Sequence, residues 1–247
     1  MDIRVLPDPP AMGAEAAALA VAELQRLTAN GGQARMVLAT GASQFEMLKC
    51  LTAADLPWSR ITAFHLDEYV GLPVTHPASF RGYLRERFVG MLPGPLGAMH
   101  YVDGEAADLD AELARLNVLV AAAPIDLCLC GIGENCHLAF NDPPADFEAP
   151  DPYILVELDE ACRRQQVGEG WFASFEAVPT HAISMSIAQM MTCTRIICTV
   201  PDKRKAAAVR ACVEGPVSNL APASILQQHA ACTLVLDESA AAGLGGR

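Results

Sequence analysis

Apolar runs of strand length and amphipathic helical stripes alternate along this chain from end to end, and no other feature limits its possible folds so strongly. Ala20, Leu24 and Leu27 recur at i, i+4 and i+7, and Asn30-Gly31-Gly32 stops the helix they define. The apolar run 36–39 leads through Thr40-Gly41-Ala42-Ser43 into a second helical pattern carried by Phe45, Leu48 and Leu51. Residues 61–64 read as a strand that runs straight into His65-Leu66-Asp67-Glu68-Tyr69. Ser79 reads as the cap of a helix to about residue 88, and Leu109, Leu113, Leu116 and Val120 as a further helical stripe. Strands are expected at 125–130, 153–157, 195–200 and 232–236, with a helix over about 203–213 between the last two.

Strands separated by helices need crossover connections, which make the sheet mostly parallel and cover both of its faces. The expected fold is a single α/β domain over residues 1–247, a doubly wound, mostly parallel sheet with helices on both faces, Rossmann-like in outline. Continuous apolar strands such as Arg195-Ile-Ile-Cys-Thr-Val200 fit that burial. At 52% hydrophobic and 19% charged residues, the chain has apolar material for a large core and lacks the balance that disorder needs. No linker, charge block or repeat divides it. The stretch 141–150, rich in Pro and Asp, reads as a loop over the site.

The 17 Lys+Arg against 29 Asp+Glu leave a net charge of −12, which argues against a nucleic-acid or anionic-membrane partner. Residues 1–10 carry no basic stretch followed by an apolar run, so no secretory signal is expected, and no segment approaches the ~20 apolar residues of a membrane span. A cytoplasmic protein is the expectation. The nine cysteines agree with it: the count is odd, no C-x-x-C pair occurs, and Cys128 and Cys130 share one strand face as small buried hydrophobes do in a reducing compartment. No metal site is expected from them.

In a doubly wound fold the ligand lies beyond the carboxyl ends of the strands. Three such ends carry candidate chemistry. Thr40, Gly41, Ala42 and Ser43 form a turn into a helix, where free backbone N–H groups and two hydroxyls can cradle an anion; Ser43 as an ordinary N-cap is the alternative. Neither G-x-G-x-x-G nor G-x-x-x-x-G-K-[ST] is present, which argues against a dinucleotide or a nucleoside triphosphate. Asp67 and Glu68 put two carboxylates at the sheet mouth, one directed in and one out. They offer a general base or, equally, a solvated pair. In Gly131-Ile-Gly-Glu134-Asn135-Cys-His137-Leu-Ala-Phe-Asn-Asp142, the histidine has carboxylates at 134 and 142 within reach to orient it. A fourth signal is Lys203-Arg204-Lys205, three cations where a helix dipole disfavours them. A phosphate held jointly by Lys205 and the Thr40 turn accounts for both features.

These residues carry a resemblance. Leu38-Ala-Thr-Gly41 with Ser43, Asp67-Glu-Tyr-Val-Gly-Leu-Pro73 with His76-Pro77 and Ser79, Gly131-Ile-Gly133 with His137-Leu-Ala-Phe-Asn-Asp142-Pro143, and Lys205 ahead of Glu214-Gly215 resemble, in order and spacing, the glucosamine-6-phosphate deaminases and their relatives the 6-phosphogluconolactonases. The resemblance implies that Asp67 moves a proton between C2 and C1 of an open-chain sugar. It implies further that His137 opens the ring with Asp142 as its supporting carboxylate, and that Thr40 to Ser43 with Lys205 hold the phosphate. Deaminases carry Asp and Gly where this chain has Asn135 and Cys136, so Glu134 or Asp142 is expected to support His137, and Asn135→Asp to be tolerated. The resemblance implies Arg164 as the counterpart of the family's phosphate-binding arginine. The acidic run at 147–152 argues against the allosteric sugar-phosphate site of regulated deaminases.

The expected function is therefore an aldose/ketose isomerase that deaminates a hexosamine 6-phosphate, with a small-molecule sugar phosphate as its partner and neither metal nor organic cofactor. The apolar composition leaves surface for a homo-oligomer. A 6-phosphogluconolactonase on the same scaffold is the alternative; Ala139-Phe-Asn-Asp-Pro143 departs from the pattern that group resembles. A sugar-phosphate sensor of a transcription regulator would need a DNA-binding segment, for which neither terminus has room or basic charge.

Overall fold

Period-2 alternation in the central strands sorts their side chains into two separate cores. A computed structural model describes residues 1–245; residues 246 and 247 of the expected domain lie outside it. In chain order its elements are β1 (Asp2–Leu6), α1 (Pro9–Thr28), β2 (Ala34–Leu38), α2 (Phe45–Thr52), β3 (Ile61–His65), β4 (Asp67–Tyr69), α3 (Phe80–Arg87), β5 (Ala98–His100), α4 (Leu109–Ala121) and β6 (Leu127–Cys130). The second half adds β7 (Tyr153–Glu157), α5 (Glu160–Gly168), β8 (His181–Met185), α6 (Ile187–Met191), β9 (Arg195–Val200), α7 (Ala206–Glu214), β10 (Cys232–Asp237) and α8 (Glu238–Ala241).

Seven strands form one sheet in the order β1-β10-β9-β6-β2-β3-β5, every pair parallel. Met36, Leu38, Leu127, Leu129, Ile197 and Val235 pack on one face with α1, α2 and α3. Val37, Cys128, Cys130, Ile196, Cys198 and Leu234 pack on the other with α4, α6 and α7. The α/β architecture with helices on both faces is the one the alternation predicts. Each of these buried aliphatic side chains contributes about 1.5–3 kcal/mol, so the central strands hold the fold together, and Leu38→Ala would cost roughly 2–5 kcal/mol. All nine cysteines are free, and eight of them are buried.

The expected strand 153–157 exists but joins a different sheet. It pairs antiparallel with β8, which pairs antiparallel with β4, in a three-stranded sheet apart from the large one. Its exposure fits this placement: Leu155 is 45% exposed, whereas the central strands of the large sheet are covered on both faces. β1 and β5 have no match in the sequence expectation. They are edge strands: β1 mixes Asp2 and Arg4 with apolar residues, and β5 is three residues long. Only Leu66 separates β3 from β4, so the small sheet starts where the large one ends and brings Asp67 to the carboxyl edge. Among the described residues no helix is long and apolar enough to cross a membrane.

Candidate active site

A cavity with about 610 Å³ of empty space, open solvent at its mouth included, lies at the carboxyl ends of β2, β3, β6 and β9. The turn after β2 forms one wall. Gly41, at φ 88°, lets the chain reverse there at no steric cost, and the Tyr83 hydroxyl donates to its carbonyl at 3.0 Å. Residues 42–44 make one 3-10 turn before α2. Ser43 is not an N-cap: α2 is preceded by Gln44 and has no side-chain cap. Thr40, Gly41, Ala42 and Ser43 all line the cavity, and the Thr40 hydroxyl is buried without a hydrogen-bond partner. An orphaned hydroxyl beside free amides is a place for an anion.

Asp67 lines the cavity and is 5% exposed. Burial, and then the neighbouring Glu68 carboxylate, push its pKa up to about 8. Glu68 points the other way. It accepts hydrogen bonds from Ser79 Oγ at 3.1 Å and from the backbone N–H groups of Phe80 at 3.2 Å and Arg81 at 2.7 Å. The solvated-pair alternative fails, because both acids are buried, Asp67 at the cavity wall and Glu68 against residues 79–81.

His137 follows the turn after β6. Its Nδ1 lies 3.0 Å from Asp142 Oδ1, and Asp142 Oδ2 accepts from the Asp159 N–H at 3.1 Å. Asn135 Nδ2 donates to Asp142 Oδ1 at 2.9 Å and to Asp159 Oδ2 at 3.2 Å, and Asn135 Oδ1 accepts from His137 N–H at 3.1 Å. Burial acts to raise the Asp142 pKa, but hydrogen bonds from His137 and Asn135 outweigh it and leave that carboxyl below its ordinary value. Gly133 is required here, since a Cβ at that position would fall 2.2 Å from His137 Nε2. Asp142 thus fixes the orientation of the imidazole through Nδ1, and the ring lines the cavity. Glu134, the other proposed support, does not reach His137: its carboxylate is 3.9 Å from Arg204.

Of the three cations at 203–205, only Lys205 enters the cavity. It is 4% exposed, Lys203 is exposed, and Arg204 is bound to Asp202. Burial lowers the Lys205 pKa, and Glu169 and Glu134 oppose that. Arg164 is not brought to the cavity. It sits on the outer face of α5, 68% exposed, paired with Glu160 at 3.1 Å and stacked over Phe175. The inner face of α5 and the segment after it cover the cavity instead, with Gln165, Gln166, Glu169 and Trp171. The sequence reading missed these residues. The i, i+4 spacing of Gln165 and Glu169 and one of only two tryptophans were the available signals.

His137, Asp142 and Cys162 place one potential metal-ligand atom each within 4.8 Å of one another. Burial and the carboxylates of Asp142 and Asp159 push the Cys162 thiol well up, and His137 Nδ1 is engaged by Asp142 Oδ1 at 3.0 Å. What the geometry shows in this group is an imidazole oriented by a carboxylate.

An anion cradle, a raised carboxylic acid and an oriented imidazole around one cavity are groups suited to acid–base chemistry on a small anionic molecule. A family model described as glucosamine-6-phosphate isomerases/6-phosphogluconolactonase matches residues 7–235. The chain belongs to that family. It is 37% identical over 213 residues to a glucosamine-6-phosphate deaminase of Streptococcus uberis, covering 86% of this chain and 88% of the relative. The corresponding deaminase of Lactobacillus delbrueckii subsp. bulgaricus is 34% identical over 210 residues, covering 85% and 87%. Among solved structures, a monomeric glucosamine-6-phosphate deaminase superposes with a TM-score of 0.91 at 30% identity, covering 99% of this chain and all of that one. A 6-phosphogluconolactonase of Thermotoga maritima shares the fold at a TM-score of 0.76 and 16% identity, with 96% and 98% covered.

Proposed function

We propose that the protein converts glucosamine 6-phosphate, or a closely related hexosamine 6-phosphate, into a ketose 6-phosphate and ammonia. One observation carries this reading: Asp67, His137, Lys205 and the Thr40 turn line a single cavity. Relatives at 34–37% identity that are named for this activity support it.

In this mechanism the phosphate lies against the Thr40–Ser43 turn and Lys205. His137, held by Asp142, takes the proton of the anomeric hydroxyl and returns one to the ring oxygen, so the C1–O5 bond breaks and the free aldehyde forms. Asp67, as carboxylate, removes the C2 proton while a proton of the substrate's own ammonium group passes to the C1 oxygen, leaving an enolamine with a hydroxyl on C1; Asp67 then delivers its proton to C1. The resulting imine at C2 is hydrolysed by water to the ketone, releasing ammonia. A pKa near 8 suits a group that must both accept and return a proton close to neutrality.

The test is ammonia release on a panel of hexosamine 6-phosphates, run beside hydrolysis of a 6-phosphogluconolactone. Solvent deuterium should enter the product at C1. Asp67→Asn removes the base while keeping its shape, and should lower turnover by at least ~10²-fold, the lower range for a general base. Lactone hydrolysis without ammonia release or deuterium incorporation would reverse the assignment.

A further inference from the structure

Lys205, the cation of the proposed phosphate site, already faces a carboxylate inside the cavity. Its Nζ is 3.7 Å from Glu169 Oε1, with side-chain exposures of only 5% and 12%. That distance is longer than a direct hydrogen bond, so the pair is held together by charge. Glu169 does not hang loosely there. Its Oε1 accepts from Gln165 Nε2 at 2.7 Å and its Oε2 from Trp171 Nε1 at 3.2 Å, while Gln165 Oε1 accepts from the Glu134 N–H at 2.9 Å. Gln165, Glu169, Trp171 and Lys205 all line the cavity. A fixed acid in an anion site works against anion binding, and neither ring opening nor proton transfer uses it.

We propose that Glu169 is a specificity-determining residue: it holds the anion position against Lys205, and a ligand binds by taking its place. The inference rests on the phosphate reading of this cavity. Binding is then an exchange of anions at Lys205 and not an addition. A singly charged group gains no attraction to Lys205 over the carboxylate it displaces. An uncharged sugar hydroxyl loses by the exchange. A phosphate monoester carries about −1.5 to −2 charges and three acceptor oxygens, so it gains at Lys205 and can also reach the orphaned Thr40 hydroxyl. The incumbent carboxylate therefore filters for phosphate against carboxylated and unphosphorylated sugars. Its departure also breaks the Trp171 indole bond, which makes Trp171 a reporter of the exchange.

The experiment titrates the intact protein with inorganic phosphate and with acetate at about pH 8, where phosphate is mostly dianionic. Tryptophan emission is the readout, and Trp171→Phe identifies the reporting indole. The parent should bind phosphate and discriminate against acetate. In Glu169→Gln, acetate should bind at least ~10-fold more tightly while phosphate changes less, so that the phosphate-over-acetate ratio falls at least ~10-fold. Glu169→Ala should move the ratio in the same direction, which guards against an effect peculiar to the amide. An unchanged ratio in both variants, with phosphate binding still lost in Lys205→Ala, overturns the role of Glu169 alone. Phosphate binding that is absent from the parent, or indifferent to Lys205→Ala, overturns the phosphate site and this inference with it.

Discussion

Asp67 and Glu68 stand side by side on β4 and face opposite ways, the first lining the cavity and the second buried against the first turn of α3. Strand alternation thus turns one acid of the pair into the cavity and the other into the framework. Glu68 receives three bonds from residues 79–81 and one from its own neighbour Tyr69 at 2.9 Å, and it lies 3.5 Å from Arg81 Nε. Arg81 continues the network to Asp103 and Glu105.

Glu68→Ala should therefore be a stability variant. It leaves the Arg81 guanidinium and the amides of α3 facing an apolar gap, and breaking a buried pair in this way costs about 3–5 kcal/mol. Urea denaturation should show the loss in the midpoint. A variant as stable as the parent would mean that Arg81 is satisfied by Asp103 and Glu105 alone.

Asp67 makes the opposite prediction for stability. Its pKa is raised from the ordinary 3.8 to about 8 in the folded protein, so between those values the folded state holds a proton that the unfolded chain has lost. Stability from this group is fully present below pH ~4 and is lost as pH rises through ~8. Asp67→Asn cannot ionise. Its melting temperature should match the parent's near pH 4 and exceed it near pH 9. Equal melting temperatures at both values would show that water in the cavity relieves the burial.

The sequence made the parallel sheet and the positions of Asp67, His137 and Lys205 legible because each depends on short-range pattern: apolar periodicity, a pair of carboxylates or a glycine turn after a strand, and a cluster of cations at a helix start. It did not reveal the second sheet. Tyr153-Ile-Leu-Val-Glu157 has the composition of any strand, and its partner depends on β4 and β8, both distant along the chain. Glu134 and Arg164 went astray for a related reason. Charge at the right sequence distance does not fix side-chain direction, and α5 turns Arg164 outward while presenting Gln165 and Glu169 inward. Asp142 and Glu134 were equal candidates by spacing; the loop geometry chose Asp142.

Asn135→Asp now has a different expected outcome from the one that sequence reasoning suggested. The Asn135 amide donates to Asp142 and to Asp159, bridging two carboxylates. An aspartate there would place a third negative charge against both and could not donate, which raises the Asp142 pKa and loosens its hold on His137. Turnover near neutral pH should fall roughly tenfold or more, with KM little changed because the phosphate contacts are untouched. Asp142→Asn should lower turnover comparably. If Asn135→Asp equals or surpasses the parent, Asp142 is not the group that orients the imidazole.

Phosphate affinity should separate Lys205 from Arg164. Lys205 is 4% exposed at the cavity wall beside the Thr40 turn, so a charge-assisted contact made there is shielded from water. Its loss in Lys205→Ala should cost about 1.5–3 kcal/mol, or roughly 10- to 150-fold in KM for a sugar phosphate. Arg164 is 68% exposed and committed to Glu160 on the far side of α5, where an exposed pair contributes little. Arg164→Ala should leave KM within about twofold. Both variants should be measured against the phosphorylated and the unphosphorylated sugar, since a phosphate ligand affects only the first. A strong rise in KM for Arg164→Ala, confined to the phosphorylated substrate, would mean that α5 rotates to bring this guanidinium into the cavity when the substrate binds.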